Sequence, residues 1–135
     1  MAQQLTERPP ITPTSLPRIF RSAARILAAN GLHQGDFVED PFDRRSKSSH
    51  ATRPMSIVAA LNCAVTGDPH RPTAESREAI RVLALRLVVR GSGPYGEDEL
   101  ALAFHVDEWG DTEGRRTESA VAVLEAAADA CEVSA

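Results

Sequence analysis

Aromatic side chains make up only 4% of this sequence: one tryptophan, one tyrosine and four phenylalanines. The hydrophobic fraction of 42% is therefore met mostly by alanine, leucine, valine and isoleucine. Such side chains pack closely and suit helix-on-helix contacts. No run of about 18 apolar residues exists, so no helix is expected to span a membrane. The start, MAQQLTERPPITPTSLPR, lacks the basic beginning and apolar stretch of a signal peptide, which points to the cytoplasm. Cysteine is scarce too. Cys63 and Cys131 each fall at an apolar position of an expected helix, and in a reducing compartment they read as packing thiols rather than a bridge.

Lysine is nearly absent, with Lys47 the single one among 15 basic residues. The formal net charge of -4 argues against nonspecific nucleic-acid binding. The charge is uneven: residues 1–67 carry eight basic and five acidic side chains, residues 68–135 seven and fourteen. A length of 135 residues fits one domain with a single core.

Catalytic and metal-binding spacings are missing as well. His33, Asp36, Glu39, Asp40, Asp43 and His50 share one segment, and His105 and Asp107 another, but none forms H-E-x-x-H or C-x-x-C. Asp36 to Asp43 lacks the glycine and terminal glutamate of a calcium loop. No metal site and no cofactor is expected. Ser48 and Ser49 adjoin His50 without a G-x-S-x-G elbow. GSGPYG follows a helix and lacks the strand and Lys-Ser/Thr of a phosphate loop, so it reads as a turn. Arg77 and Arg81 alternate with Glu75 and Glu78 after the proline-bearing GDPHRP, which suits a solvated face better than a DNA-reading helix.

What is present reads as all-α: four or five helices packed as one domain over residues 15–133, behind a flexible proline-rich arm at 1–14. The first helix begins at a Ser15 cap, carries Leu16, Ile19, Phe20, Ala23, Ile26 and Leu27 on one face, and stops at Asn30-Gly31. Residues 33–54 form a polar loop in which Phe37-Val38 can pair with residues near Thr52 as a short hairpin. MSIVAALNCAVTG is a buried central helix capped by Ser56, and Thr73 caps the next, whose face is Ala79, Ile80, Leu83, Ala84, Leu87 and Val88. A short helix over 97–109 would bury Leu100, Ala103, Phe104 and Val106, and Thr117 would cap the last, which buries Ala120, Val121, Leu124, Ala127, Ala128 and Cys131.

The densest chemistry lies in HVDEWGDTEGRRTESAV, residues 105 to 121. Trp109 closes one helix and Thr117 opens another, with Asp111 to Arg116 as the joint. As structure, Trp109 buries its ring while Asp111 accepts from loop backbone or pairs with Arg115 or Arg116. As a site, Trp109 and the arginines would line a pocket for an anionic or aromatic ligand. The capped helix start favours structure.

Three stretches together, ARILAANGLHQGDFVED, MSIVAALNCAVTGDP and VDEWGDTEGRRTESAVAVLEAAAD, resemble a small domain family of unknown function found in actinobacterial chromosomes and their phages. Trp109 and Asp111 fall on its W-N-D-type triplet, with Gly110 in place of the usual asparagine. Arg116 and Thr117 fall on its glycine-arginine-threonine step, with one arginine more than the pattern. The similarity covers residues 16 to 130 and implies no activity. It groups Trp109, Asp111 and Arg116 as a unit.

The expected function is a small cytosolic helical interaction or ligand-binding module without turnover, regulatory or accessory in role. Its partner would be a protein or a small anionic ligand, and a homodimer would bury leftover apolar surface. The alternative is a small enzyme or accessory factor of a specialised pathway, with loop 33–54 folded over the Trp109 to Arg116 joint. There His33, Asp36 or His105 would supply acid/base function, and Arg115 or Arg116 would hold an anion.

Overall fold

The computed structural model describes residues 15–39 and 49–134. The expected arm at 1–14 and residues 40–48 of the expected loop lie outside them. Among the described residues there are five α-helices: α1 (Leu16–Asn30), α2 (Ile57–Thr66), α3 (Ala74–Arg86), α4 (Glu99–Asp111) and α5 (Thr117–Ser134), with a 3₁₀ turn at His50–Thr52. The all-α expectation holds. None of these helices is long and apolar enough to cross a membrane.

α2 is the central element. Ser56 caps it by accepting from the Ala59 N–H at 3.1 Å, and Gly67 ends it in the left-handed region at φ 83°, where a Cβ is disfavoured. Every residue from Ile57 to Cys63 is buried, so the helix must be covered on all sides. α1, α3 and α4 supply the cover, while α1 also packs along α5 over its longest contact. Buried alanines on both partners, Ala23 and Ala24 against Ala120, Ala127 and Ala128, allow that close approach. Phe20, Leu27, Leu61, Leu83 and Leu124 are fully buried, each contributing roughly 1.5–3 kcal/mol by leaving water. Cys63 and Cys131 are free thiols, as expected.

Several local expectations change. Ser15 precedes α1 but makes no capping side-chain bond. Thr73 does cap α3, in a reciprocal box with Ser76. α3 stops at Arg86 rather than continuing: Leu87 turns extended, and a tight turn at Arg90 (φ 52°) and Gly91 follows. Val88 is therefore exposed rather than buried. In place of a hairpin near Thr52 there are isolated bridges, with Met55 paired to both Leu32 and Val38. The pairing cannot lengthen because α2 is capped at the very next residue, Ser56. Thr117 opens α5, but its hydroxyl accepts from the Leu32 N–H at 2.9 Å and so ties the joint to the loop.

α4 differs most. Asp98 caps it, accepting from the Ala101 N–H at 2.8 Å, and it continues to Asp111. Its buried face is Leu102, His105, Val106, Trp109 and Gly110. Leu100 and Phe104, expected inside, are 81% and 55% exposed. Gly110 lies buried where α4 meets α2: a Cβ there would sit 3.4 Å from Ile57 Cδ1.

Candidate functional site: an apolar groove on the outer face of α4

The described start of the loop packs onto the joint. Gln34 Nε2 donates to the Gly110 and Thr112 carbonyls at 2.8 and 3.1 Å, and the Gly35 N–H donates to Asp111 Oδ1 at 3.0 Å. On the other side, Arg115 lies flat over Trp109, its Cζ 3.8 Å from the ring centroid, and its Nε donates to the Trp109 carbonyl at 3.0 Å. That combination of cation–π contact and charge-assisted hydrogen bond commits Arg115 to holding the indole. Trp109 itself is 8% exposed. Arg116 is exposed and has no side-chain hydrogen bond or ion pair to any described residue. The two arginines therefore do not converge on a common anion.

The other expected acid/base residues are dispersed. His105 is buried on α4, and its Nε2 donates to the Leu87 carbonyl at 2.8 Å. It ties α4 to the end of α3. His33 is half-buried, with its backbone N–H bonded to the Met55 carbonyl, and Asp36 is exposed. None of the three lines the cavity described next. No group of three or more metal-ligating side chains occurs among the described residues.

A concave surface does exist on the outer face of α4, about 620 Å³ in volume. Phe37, Tyr95, Leu100 and Phe104 line it. Local geometry explains each. Val38 pairs with Met55, so strand-like alternation sends Val38 into the core and Phe37 outward. Tyr95 follows the turn after α3 and stacks on Phe104 at 6.3 Å between centroids. Phe37 is backed by His70 at 6.1 Å, and His70 Nε2 lies 2.8 Å from His50 Nδ1 in a shared hydrogen bond. All four apolar side chains are at least 36% exposed, an unusual concentration of uncovered apolar surface on so small a domain.

The floor is acidic. Asp98, Asp107, Glu108 and Asp111 reach the groove, and among the described residues no lysine or arginine lines it. Asp107 and Asp111 are one turn apart and so share a face of α4. The Asp107 residue is partly exposed at the groove, yet its carboxyl group is nearly enclosed. Burial raises its pKa from the usual 3.8 to about 7, aided by the charge of Asp111. Hydrogen bonds from the Val58 N–H (3.1 Å) and the Ser56 side chain pull the other way. Those bonds place the carboxyl at the N-terminus of α2, where helix dipole and free N–H groups favour an anion.

Of the residues singled out in the sequence, Asp111 alone belongs to both joint and groove. Phe37, Tyr95, Leu100, Phe104 and the acid at Asp107 were not singled out as a site. Their one legible signal is that Leu100 and Phe104 lie four apart, with Asp107 and Asp111 likewise four apart on the same helix. No curated protein and no solved structure matches the chain. Over residues 11–130, which include every element of the groove and the joint, the sequence matches the profile of DUF6197, a family of unknown function, and the chain belongs to that family.

Proposed function

We propose that this protein is a small helical interaction module that holds a protein partner in the groove on α4, without turnover, in a regulatory or accessory role in the cytoplasm. The observation that carries this reading is the clustered exposure of Phe37, Tyr95, Leu100 and Phe104 over one concave surface. A concave surface with four uncovered large apolar side chains is the usual form of a surface meant to be covered. The Trp109 to Arg116 joint serves that surface as a strut, fixing the loop that carries Phe37 to the end of α4.

The test is a photo-crosslinking side chain placed at Leu100 in the full-length protein, with one at Ala126 on the exposed side of α5 as control. The reading expects a discrete protein adduct from position 100 alone, and one-to-one binding of that purified protein, lost in Leu100→Ser/Phe104→Ser. Equal adducts from both positions, or none, would count against it. A homodimer would show instead as an adduct of twice the chain mass.

A second reading, a small enzyme, draws on Asp107, because a carboxyl poised near neutrality in a cleft suits proton transfer. It ranks below the first because none of His33, Asp36 and His105 lines the groove.

A further inference from the structure

Building on the proposal that this groove is a docking surface, we infer that its partner is a basic amphipathic segment. The apolar side chains of that segment cover Phe37, Tyr95, Leu100 and Phe104, and an arginine or lysine descends between Asp107 and Asp111.

Charge complementarity selects this occupant. Four carboxylates reach the groove and none of its described lining residues is basic. Described arginines near α4 have partners already: Arg115 lies on Trp109, Arg77 pairs with Glu99 at 3.1 Å, and Arg90 reaches Glu108 at 3.7 Å. An acidic or phosphorylated partner would meet like charge from Asp98, Asp107 and Asp111, whereas a cation gains from each carboxylate.

The carboxylates also keep acceptor capacity. Asp111 uses Oδ1 for the Gly35 N–H, which leaves Oδ2; Asp107 uses Oδ1 for the Val58 N–H and lines the same groove one turn earlier. A guanidinium can bridge two carboxylates that a neutral group would leave unpaired. The rings of Phe37, Tyr95 and Phe104 add faces on which the methylene stem or the cation can lie.

Extent favours a segment over a small molecule. Leu100 and Tyr95 are 81% and 76% exposed at the rim, so a ligand filling only the floor would leave them in water. A helix laid along the groove covers both. Arrival of the cation completes the ionisation of Asp107, whose pKa burial raises to about 7. Binding should therefore release a proton and tighten as pH rises.

The experiment uses the full-length protein and three synthetic amphipathic helices that share one leucine face. The opposite face carries arginine, glutamine or glutamate. Asp107→Asn/Asp111→Asn removes the charge while keeping acceptors for the Val58 and Gly35 N–H groups. Leu100→Ser/Phe104→Ser removes the two large apolar side chains that α4 contributes. The arginine helix should bind at least tenfold more tightly than the glutamine helix, and the glutamate helix more weakly than both. The double Asn variant should lose that tenfold preference while still binding the glutamine helix. The double Ser variant should lose all three.

Arginine and glutamine helices binding alike to the wild type would overturn the charge inference and leave the docking groove standing. A preference that survives in the double Asn variant would overturn it too, by placing the cation elsewhere. Failure of all three helices would remove both readings. Benzylammonium binding as tightly as the arginine helix would mark a small-cation site and overturn the segment.

Discussion

Replacing Asp107 by asparagine should make the protein more stable at neutral pH, although the change removes a carboxyl that two groups hydrogen-bond. The carboxyl is nearly enclosed, so ionising it in the folded state works against desolvation, and its pKa rises from 3.8 to about 7. The sign follows from proton linkage. Below pH 4 both states carry the proton and the residue costs nothing. Between pH 4 and 7 the unfolded chain is ionised while the folded one is not, so stability falls as pH rises. Above pH 7 the penalty is complete. The difference in proton affinity corresponds to about 4 kcal/mol at most. Asparagine keeps an acceptor for the Val58 N–H and never ionises. The assay is urea unfolding of wild type and Asp107→Asn across pH 5 to 8.5. Taking the difference between the proteins cancels every other titrating group. That gap should widen by about 1.4 kcal/mol per pH unit between pH 5 and 7, the slope of one proton, and stop growing above pH 8. Parallel profiles, with a constant gap, would refute the reasoning and show the carboxyl to be ionised or solvated throughout.

Three further outcomes follow from the same contacts. Arg115→Ala removes both the cation over the indole and the bond to the Trp109 carbonyl; a loss of about 1–2 kcal/mol and a red shift of Trp109 emission are expected in denaturation followed by fluorescence. His105→Phe keeps the packing but orphans the Leu87 carbonyl, so it should cost about 1–3 kcal/mol, with faster amide exchange around residues 86–89 as the local signature. His50 resists protonation through burial and the charges of Arg53 and His70, and its pKa is lowered. Its contribution is present above the ordinary histidine range and is lost as pH falls below about 6.5. His50→Asn should flatten that acid-side loss in thermal melts run from pH 7.5 to 5.

Much of the scaffold was legible because its punctuation is local. Ser56 and Gly67 bracket α2, Thr73 opens α3, and Asn30-Gly31 closes α1, each through bonds within a few residues. The face of α4 was not legible. Leu100 and Phe104 satisfy a helical stripe, and so do Leu102, Val106 and Trp109. Which stripe is buried depends on what lies opposite, and the Leu87 carbonyl that receives His105 belongs to a different helix end. The same dependence hid the groove, since Phe37 reaches it only through the Val38 to Met55 bridge. The joint, by contrast, advertised itself through rare residues, and there Arg115 lies over Trp109, an arrangement in keeping with the structural role its capped helix start favoured. Asp107 could not stand out either, because its altered proton affinity comes chiefly from enclosure at the N-terminus of α2, with the charge of Asp111 only adding to it.

The central claim, that the outer face of α4 is the working surface and the Trp109 to Arg116 joint its support, is tested most directly by two-dimensional NMR. The full-length protein would be titrated with the arginine-bearing amphipathic helix. Saturable shifts should concentrate at Phe37, Tyr95, Leu100, Phe104 and Asp107, with the Trp109 indole N–H nearly still. Large shifts at the indole and at Arg115 and Arg116, with the groove silent, would contradict it and return the site to the joint.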